Sequence, residues 1–380
     1  MKSNQIMKII PVSEPYISPK VQEYVSNAID EKELSGNFGS YIAKFETNFA
    51  KFSGVKYAVC VSSGTTALHA ALSVLDLAKG DEVIVQTLTN MATAFAVSYT
   101  GAIPIAADIE SDTLNIDPAV IQSKITEKTK AIIVVHLFGH PVDMDPIIKI
   151  AKDNNLYIIE DCAQAHGSTY KGKKVGSLGD ISCYSFYANK ILATGEGGMV
   201  VTNNFDLAIK ARKICSLSYG PSENRFMHEK IGFNYRMTNI TAAIGCAQLE
   251  KIEEVIEKKR MIAKLYSDRL NGINELQLPI EKDYAFNVFW MYHVVLKGSA
   301  KGKRKNILKS LKEKGIDTRT SFVPLNQQNI YKNMGVVSFD SCPNANYVGE
   351  NGFYIPSGPV IELKDLEYVA DSLKAVLSAI

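Results

Sequence analysis

The sequence predicts an α/β protein with a mostly parallel seven-stranded sheet between helices, followed by a smaller α+β domain. The first observation is a set of seven short runs that are apolar throughout, as expected for strands buried on both faces. The second is that helix-like stretches, such as 18–31 and 65–75, alternate with these runs, as in a parallel sheet with crossover helices. The seven runs span residues 57–61, 82–86, 103–107, 131–135, 157–160, 181–186 and 198–202.

The pattern changes after the last of these runs. A long helical stretch is predicted from about residue 238 to 270, and its apolar stripe between charged residues is typical of a packing seam. Further elements are predicted beyond it: strands at 290–296 and 315–320, and helices at 303–314 and 363–378. We therefore expect an N-terminal arm (1–15), a large domain (16–250) and a small C-terminal domain (251–380).

Composition excludes several classes of protein. Lys+Arg 42 against Asp+Glu 40 leave a net charge of +2, so the chain has no basic field for nucleic acid or an anionic membrane. No apolar run approaches the roughly 18 residues that a membrane span needs, and the first residues lack the apolar core of a signal peptide. We therefore expect a cytoplasmic enzyme without nucleic-acid or membrane partners.

Cysteine and histidine spacing does not indicate a metal centre. The six cysteines include no C-x-x-C pair, and most lie in apolar runs, so we expect them to be reduced core residues. His136 and His140 are four residues apart, but Gly139 and Pro141 argue against a helical pair of ligands. The sequence thus predicts no bound metal.

The first of three polar segments at strand ends is residues 62–68, SSGTTAL, which opens a helix. The carboxyl ends of strands are where α/β proteins form ligand sites. Small residues and free backbone N–H groups at the start of a helix suit an anion such as phosphate. An ordinary Ser/Thr helix cap is the alternative interpretation.

The other two segments contribute an acid and an amine. Asp161 directly follows the run 157–160, where its carboxylate can pair with a cationic ring nitrogen or simply cap a helix. Lys190 lies in a polar turn after the run 181–186 and before a glycine-rich segment at 195–198. Partial burial would favour the neutral amine that attacks a carbonyl carbon, although most lysines are solvated surface charges.

Together, the three segments resemble the fold-type I pyridoxal phosphate enzymes. Segment 62–68 suits a phosphate, Asp161 follows it in the chain, and Lys190 comes 29 residues after Asp161. More narrowly, EDCAQAHG, SFYANK and GEGGMV resemble the DegT/DnrJ/EryC1/StrS family of sugar aminotransferases. The likeness covers about residues 8–378, and HLFGHPVDMD together with FNYRMTN is most similar to its perosamine-forming members. The resemblance therefore implies a pyridoxal phosphate-dependent transaminase.

The resemblance also implies roles for individual residues. Lys190 would bind the cofactor aldehyde covalently and then move a proton between the substrate Cα and the cofactor C4′. Asp161 would keep the pyridinium nitrogen protonated, and Gln164 would hydrogen-bond the phenolic oxygen. The cofactor phosphate would be held by three residues: Gly64, Thr65 and Ser185.

Further residues match family positions outside this group. Asn234 would reach the phosphate of the neighbouring subunit, which implies a homodimer with shared active sites. His228 and Arg319 match substrate-lining positions. Four residues depart from the family pattern: Leu34, Asn90, Asn326 and Gly358. Asn90 replaces an aromatic that would cover the cofactor ring, and Asn326 replaces a histidine near the substrate.

These departures leave the amino acceptor open. We expect L-glutamate to donate the amino group and a nucleotide-linked 4-keto-6-deoxy sugar, destined for surface polysaccharide, to accept it. A small phosphorylated ketone of the triose type is an alternative acceptor. A family dehydratase is disfavoured because those relatives have histidine where this chain has Lys190, and a non-catalytic binding protein on the same scaffold is a further alternative.

Overall fold

The structure is a computed structural model and describes residues 8–36, 39–220, 222–228, 230–335 and 342–379. The strands are β1 Tyr57–Val61, β2 Glu82–Gln86, β3 Ile103–Ala107, β4 Thr129–Val135, β5 Tyr157–Asp161, β6 Thr169–Tyr170, β7 Lys173–Lys174, β8 Ile181–Ser185, β9 Gly198–Thr202, β10 Leu276–Gln277, β11 Ala285–Phe286, β12 Tyr292–Leu296, β13 Arg319–Thr320 and β14 Gly352–Ile355. The α-helices are α1 Val21–Asp30, α2 Ser40–Ser53, α3 Gly64–Ser73, α4 Ala92–Tyr99, α5 Pro118–Ile121, α6 Met144–Asp153, α7 Phe205–Ile214, α8 Asn239–Leu249, α9 Ile252–Leu270, α10 Arg304–Glu313, α11 Asn329–Asn333, α12 Pro343–Asn351 and α13 Leu363–Ser378.

The central sheet has seven strands in the order β1-β9-β8-β5-β4-β2-β3. Strand β9 runs antiparallel to both of its neighbours, and the other six strands share one direction. The predicted mostly parallel seven-stranded sheet is therefore confirmed. Because six strands are parallel, the turns that follow them meet at one edge of the sheet, which is where the predicted site segments lie.

Helices cover both faces of this sheet because its strands are apolar on both sides. Alternate strand residues such as Val83 and Val85 pack with α3, α4 and α7 on one face. Ile84 and Ile132 point to the opposite face and pack with residues of α5 and α6. Phe45 of α2 belongs to a further apolar cluster that includes α8 and the β1–β9 end of the sheet. Both faces are thus buried, as continuous apolar strands require.

The C-terminal region has its own antiparallel sheet in the order β10-β12-β14-β13, packed against α9, α10 and α13. A third, three-stranded sheet joins β11 to β6 and β7. Hydrogen bonds of that sheet connect residues on either side of position 250. The division into domains at that position stays a prediction.

The predicted continuous helix over 238–270 was wrong. Helix α8 ends at Leu249 and α9 begins at Ile252, with Lys251 outside helical geometry at φ −116° and ψ 8°. The carboxylate of Glu250 accepts hydrogen bonds from the Tyr24 hydroxyl (2.5 Å) and the Lys20 amine (2.8 Å), which fastens this junction to α1. The break allows α8 to pack on α1 and α2 while α9 packs on α13.

The predicted strand at 315–320 is shorter in the structure. Only Arg319 and Thr320 pair within the sheet, whereas Ile316 forms an isolated bridge with Ile10 near the N-terminus. Residues 8–15 of the predicted arm therefore lie against the C-terminal region, and residues 1–7 lie outside the described residues.

Lys259 of α9 has a buried amine, and replacing this residue with methionine should stabilise the fold at neutral pH. Its side chain is 3% exposed, its amine donates to the Ser357 carbonyl, and burial lowers its pKa to about 7. Between pH 7 and the pKa near 10.4 of an unfolded lysine, the unfolded state binds more protons, so wild-type stability rises with pH. We expect Lys259→Met to raise the free energy of unfolding by roughly 1–3 kcal/mol at pH 7.

Urea unfolding at several pH values between 6 and 10 measures this effect. The gain of the Lys259→Met variant should shrink as the pH approaches 10, because the unfolded-state lysine then loses more readily the proton that the native state does not bind, and wild-type stability has risen. Lys258→Met is the matched control, since that neighbouring lysine is exposed. Equal stability of the wild type and the Lys259→Met variant at every pH would contradict the expectation.

Candidate active site

A cavity of about 340 Å³ lies at the carboxyl edge of the parallel strands. Its walls come from the turns after β1, β2, β5 and β8, together with residues of the C-terminal region. Seven of the residues predicted as site residues line it: Gly64, Thr65, Asn90, Asp161, Gln164, Ser185 and Lys190. The topology therefore brings together segments that are more than 120 residues apart in the sequence.

One end of the cavity is the N-terminus of α3. Ser63 caps this helix reciprocally with Thr66: its hydroxyl accepts from the Thr66 N–H at 3.1 Å, and its own N–H donates to the Thr66 hydroxyl at 3.0 Å. A Cβ on Gly64 would lie 2.6 Å from the Ser185 Cβ, so only glycine allows β8 to approach this helix so closely. Free backbone N–H groups, the positive end of the helix dipole and the Ser185 hydroxyl together suit an anion.

The amine of Lys190 lies inside the cavity against an aromatic ring. Its Nζ is 4.0 Å from the centre of the Trp290 ring, and the Trp290 indole N–H donates to the Asn189 carbonyl at 2.8 Å. Burial lowers the pKa of Lys190 to about 8, and the negative charge of Asp161 opposes that shift. More of this amine is therefore neutral near pH 7 than in a solvated lysine, and a neutral amine can act as a nucleophile or a base.

The carboxylate of Asp161 is buried at the end of β5. One oxygen accepts from the Thr93 hydroxyl at 2.9 Å and the other from the Ala163 N–H at 3.1 Å. Burial raises the pKa of Asp161, while these hydrogen bonds and the charge of Lys190 act in the opposite direction. The arrangement places an acid in a water-poor wall, facing a space where it can pair with a cationic group of a ligand.

Gln164 and Asn90 are further polar residues of the lining, which also includes Asn189 and Glu196. The side-chain oxygen of Gln164 accepts from the Phe138 N–H at 2.9 Å, which leaves its amide N–H groups to donate to a ligand. Asn90 is exposed, and its side-chain oxygen accepts from the Ala92 N–H at 2.9 Å at the start of α4. Asn90 thus has a local structural partner in addition to its place in the cavity wall.

Besides Tyr187, three aromatic residues of the cavity wall were not predicted as site residues. Trp290, Phe322 and Tyr354 line the cavity from the C-terminal region. Phe138 lies nearly parallel to the Trp290 and Phe322 rings, at 11° and 8°. No local motif marks these residues as neighbours of Lys190. Thr93 was also not predicted as a site residue, because the apolar sequence ATAFAV around it is typical of a helix in the hydrophobic core.

Asn234 and His228 lie outside the cavity of their own chain. Asn234 is exposed and its side-chain oxygen accepts from Arg236 Nε at 2.9 Å. His228 is exposed, and its Nδ1 lies 2.9 Å from the Leu217 carbonyl. Their predicted roles, which involve a neighbouring subunit or a substrate, stay predictions.

Arg319 and Asn326 are also absent from the cavity lining. Arg319 is exposed in β13, pairs with Asp317 at 2.9 Å, and lies opposite the cavity residue Tyr354 in the sheet register. Asn326 is fully buried, and its side-chain amide bonds to Thr87 and Asn346 at 3.0 and 2.9 Å. The predicted place of Asn326 near the substrate stays a prediction.

The other departures have different surroundings. A Cβ on Gly358 would lie 2.7 Å from the Glu14 backbone nitrogen, so the N-terminal segment occupies the space that a tryptophan would need. Gly358 and Leu34 are both absent from the cavity lining. Of the four departures, only Asn90 lines the cavity.

A buried polar cluster lies behind the site. Ligand-type atoms of His136, Glu160 and Cys162 are within 4.8 Å of one another. His136 Nε2 donates to Glu160 at 3.0 Å, and its Nδ1 accepts from the Val142 N–H at 3.0 Å, so hydrogen bonds occupy both ring nitrogens. We assign this cluster a structural role, and the absence of a bound metal stays a prediction.

Comparisons with known proteins agree with this geometry. Residues 15–374 match the model of the DegT/DnrJ/EryC1/StrS aminotransferase family. GDP-perosamine synthase of Escherichia coli O157:H7 is 43% identical over 98% of this chain and 100% of its own length. The predicted resemblance to perosamine-forming members is therefore confirmed. None of the helices in the described part of the chain has the length and apolar character that a membrane crossing requires.

Two solved structures have the same fold. Helicobacter pylori PseC, an aminotransferase involved in the biosynthesis of pseudoaminic acid, superposes with a TM-score of 0.92 at 27% identity and covers 98% of this chain and 100% of its own. Spr1654 from Streptococcus pneumoniae, in its PLP form, gives a TM-score of 0.92 at 26% identity and covers 98% and 99%. The predicted fold-type I architecture is confirmed.

Proposed function

The chain belongs to the DegT/DnrJ/EryC1/StrS aminotransferase family, and we propose that it is a pyridoxal phosphate-dependent transaminase acting on a keto sugar. L-Glutamate is the proposed amino donor. The proposed acceptor is a nucleotide-linked 4-keto-6-deoxy sugar used in surface polysaccharide biosynthesis. The observation that carries the proposal is that the Lys190 amine, the Asp161 carboxylate and the anion-binding end of α3 share one cavity.

The residues of the cavity fit the chemical groups of pyridoxal phosphate. The phosphate fits Gly64, Thr65 and Ser185, where N–H groups and a hydroxyl converge. The ring nitrogen, which is cationic when protonated, fits the buried carboxylate of Asp161, and the phenolic oxygen fits the amide N–H groups of Gln164. When bound, the cofactor supplies an electron-withdrawing ring that stabilises negative charge on the substrate carbon.

Lys190 performs the proton transfers in the proposed reaction. Its amine holds the cofactor before substrate arrives, and afterwards it takes a proton from the substrate Cα and delivers one to the cofactor C4′. A pKa of about 8 suits this work, because an acid–base group is most effective when its pKa lies near the working pH. The same steps run in reverse order when the keto acceptor receives the amino group.

Asp161 and the aromatic wall set the environment of those transfers. Asp161 keeps the ring nitrogen protonated, which maintains the electron-withdrawing character of the ring. Trp290, Phe322 and Tyr354 would exclude water from the part of the cavity that they line. In a water-poor site, the interaction between the carboxylate and the ring is stronger than in solution.

The identity of the acceptor is proposed from relatives and from one residue of the cavity. GDP-perosamine synthase, at 43% identity, favours a nucleotide-linked sugar. Asn90 favours the alternative of a small phosphorylated ketone, because this residue lines the cavity where the family has an aromatic. Both acceptors use the same chemistry at Lys190.

We propose that the active form is a homodimer with shared sites. Three apolar side chains of one surface segment are strongly exposed: Phe226, Met227 and Ile231, at 80%, 70% and 85%. An apolar surface of this kind is typical of an interface. Asn234 follows on the same segment, where it would reach the cofactor phosphate of the partner subunit, and His228 would border the substrate.

Half-reactions test the proposal. Protein loaded with pyridoxal phosphate is treated with L-glutamate, and the cofactor spectrum should change to that of the pyridoxamine form. Candidate keto sugars and keto phosphates are then screened for the one that restores the aldehyde form. Cofactor binding without any glutamate half-reaction would instead indicate a non-catalytic binding protein.

Replacing Asn90 with phenylalanine should tighten cofactor retention if this position faces the ring. An aromatic pair contributes about 0.5–1.5 kcal/mol beyond area burial, which corresponds to roughly 2- to 12-fold slower cofactor dissociation. Dissociation is followed by absorbance after dilution. Asn90→Ala is the control, because it also removes the hydrogen bond to Ala92 but adds no ring. Equal dissociation rates for the two variants would show that residue 90 does not cover the cofactor.

A further inference from the structure

We propose that Thr93 is a positioning residue that orients the Asp161 carboxylate toward the cofactor ring and holds it ionised. The inference rests on the proposed function, because it concerns the partner of the ring nitrogen. Thr93 lies in the first turn of α4 and lines the cavity beside Asp161. Its hydroxyl donates to one carboxylate oxygen at 2.9 Å, which is ordinary hydrogen-bond geometry.

The burial of both residues makes this contact consequential. Thr93 is 0% exposed and Asp161 is 4% exposed. Water therefore has little access to replace a lost donor. A buried carboxylate without donors reverts to its neutral acid, because taking a charge out of water costs more than neutralising it.

The donors around Asp161 come from different elements. The Ala163 N–H follows β5, whereas the Thr93 hydroxyl comes from α4 and bonds the other oxygen. The charged or titratable groups near the carboxylate are Lys190 after β8, His136 after β4, and the buried thiols of Cys162 after β5 and Cys183 in β8. A side-chain substitution can remove the Thr93 hydroxyl, whereas the Ala163 donor is a backbone N–H that a substitution leaves in place.

Thr93 also fixes the direction of the carboxylate. Two bonds to different oxygens, from donors on either side, hold the plane of the group in one orientation. A threonine hydroxyl is suited to this task, because its branched Cβ restricts the side-chain torsion. Valine has nearly the same shape without the donor, and serine keeps the donor without the methyl group.

The variants Thr93→Val and Thr93→Ser separate the hydrogen bond from packing. A hydrogen bond to a charged group is worth about 1.5–3 kcal/mol, so we expect Thr93→Val to weaken pyridoxal phosphate binding roughly 10- to 100-fold. Thr93→Ser should stay within about threefold of the wild type. Thr87→Val is the matched control, since it also removes a buried threonine hydroxyl, here bonded to Asn326 at 3.0 Å.

A spectroscopic titration supplies a readout that packing alone would not move. Without the Thr93 donor, Asp161 holds its proton more tightly and the ring becomes less electron-withdrawing. The pH midpoint of the visible band of the lysine-bound cofactor should therefore shift upward by at least about half a pH unit in Thr93→Val only.

The possible outcomes decide the proposal. A Thr93→Val variant with the midpoint and affinity of Thr93→Ser would overturn the role of Thr93 while leaving the proposed function intact. Equal losses in Thr93→Val and Thr87→Val, with no change in midpoint, would reduce Thr93 to a packing residue and overturn it as well. A wild-type protein that binds no pyridoxal phosphate would overturn the proposed function itself, and this inference with it.

Discussion

Lys190→Ala should abolish both turnover and the visible absorption of protein-bound pyridoxal phosphate. The variant retains Asp161 and the end of α3 that suits an anion, so we expect the cofactor still to enter the cavity, but the amine proposed to bind it covalently is gone. The proposed base for proton transfer between the substrate and the cofactor is lost at the same time. Steady-state assays and absorbance spectra of the purified variant measure the two effects.

Borohydride reduction followed by peptide mass mapping locates the covalent link directly. In the wild type, the reduced adduct should lie on the peptide that contains Lys190. Lys171→Ala is the control, since that lysine is exposed and pairs with Asp145 at 2.6 Å outside the cavity. Retained turnover in Lys190→Ala, or an adduct on another lysine, would remove the central assignment.

Asp161→Asn should lower kcat by about 10²- to 10³-fold, the usual cost of removing one preorganised electrostatic group. Asparagine keeps the size of the side chain and can still accept from Thr93, but it cannot hold a proton on the ring nitrogen. The glutamate half-reaction, followed in single turnovers, isolates the chemical step from substrate exchange.

Asp108→Asn provides the comparison for this variant. Asp108 follows β3 at the same edge of the sheet, is 5% exposed, and accepts from the Asn344 and Ala345 N–H groups without lining the cavity. We expect Asp108→Asn to lower stability but to leave the rate of the folded protein near that of the wild type. Similar rate losses in both variants would mean that Asp161 acts through the fold.

The sheet could be predicted because its strands are buried on both faces. A run such as YAVCV at β1 is apolar at every position, which is typical of a strand buried on both faces. Helices between such runs predict that the strands they connect are parallel. The site segments followed from the same reasoning, since the ends of parallel strands converge. Gly64, Asp161 and Lys190 therefore share a cavity, as their positions after strands predict.

Features that depend on tertiary contacts escaped prediction. Trp290, Phe322 and Tyr354 reach the cavity from the C-terminal region, and periodicity does not encode which pocket a side chain enters. The sequence between α8 and α9 contains no glycine or proline that would predict the break. The break is accompanied by tertiary contacts of Glu250 with Lys20 and Tyr24 at α1, which sequence periodicity does not reveal. The burial of Asn326 was also not predicted from the sequence, because its hydrogen bond to Thr87 is a contact between residues far apart in the chain.

The antiparallel strand β9 has a consequence for how a bulky substrate can enter. The chain that carries Lys190 leaves the sheet at β8 and returns next to it as β9, so both ends of this segment are held by hydrogen-bonded strands of the central sheet. The aromatic wall belongs to other segments, and the Trp290 indole joins it to the lysine segment through the Asn189 carbonyl. We therefore expect Trp290, Phe322 and Tyr354 to move during substrate exchange while the Lys190 amine keeps its position.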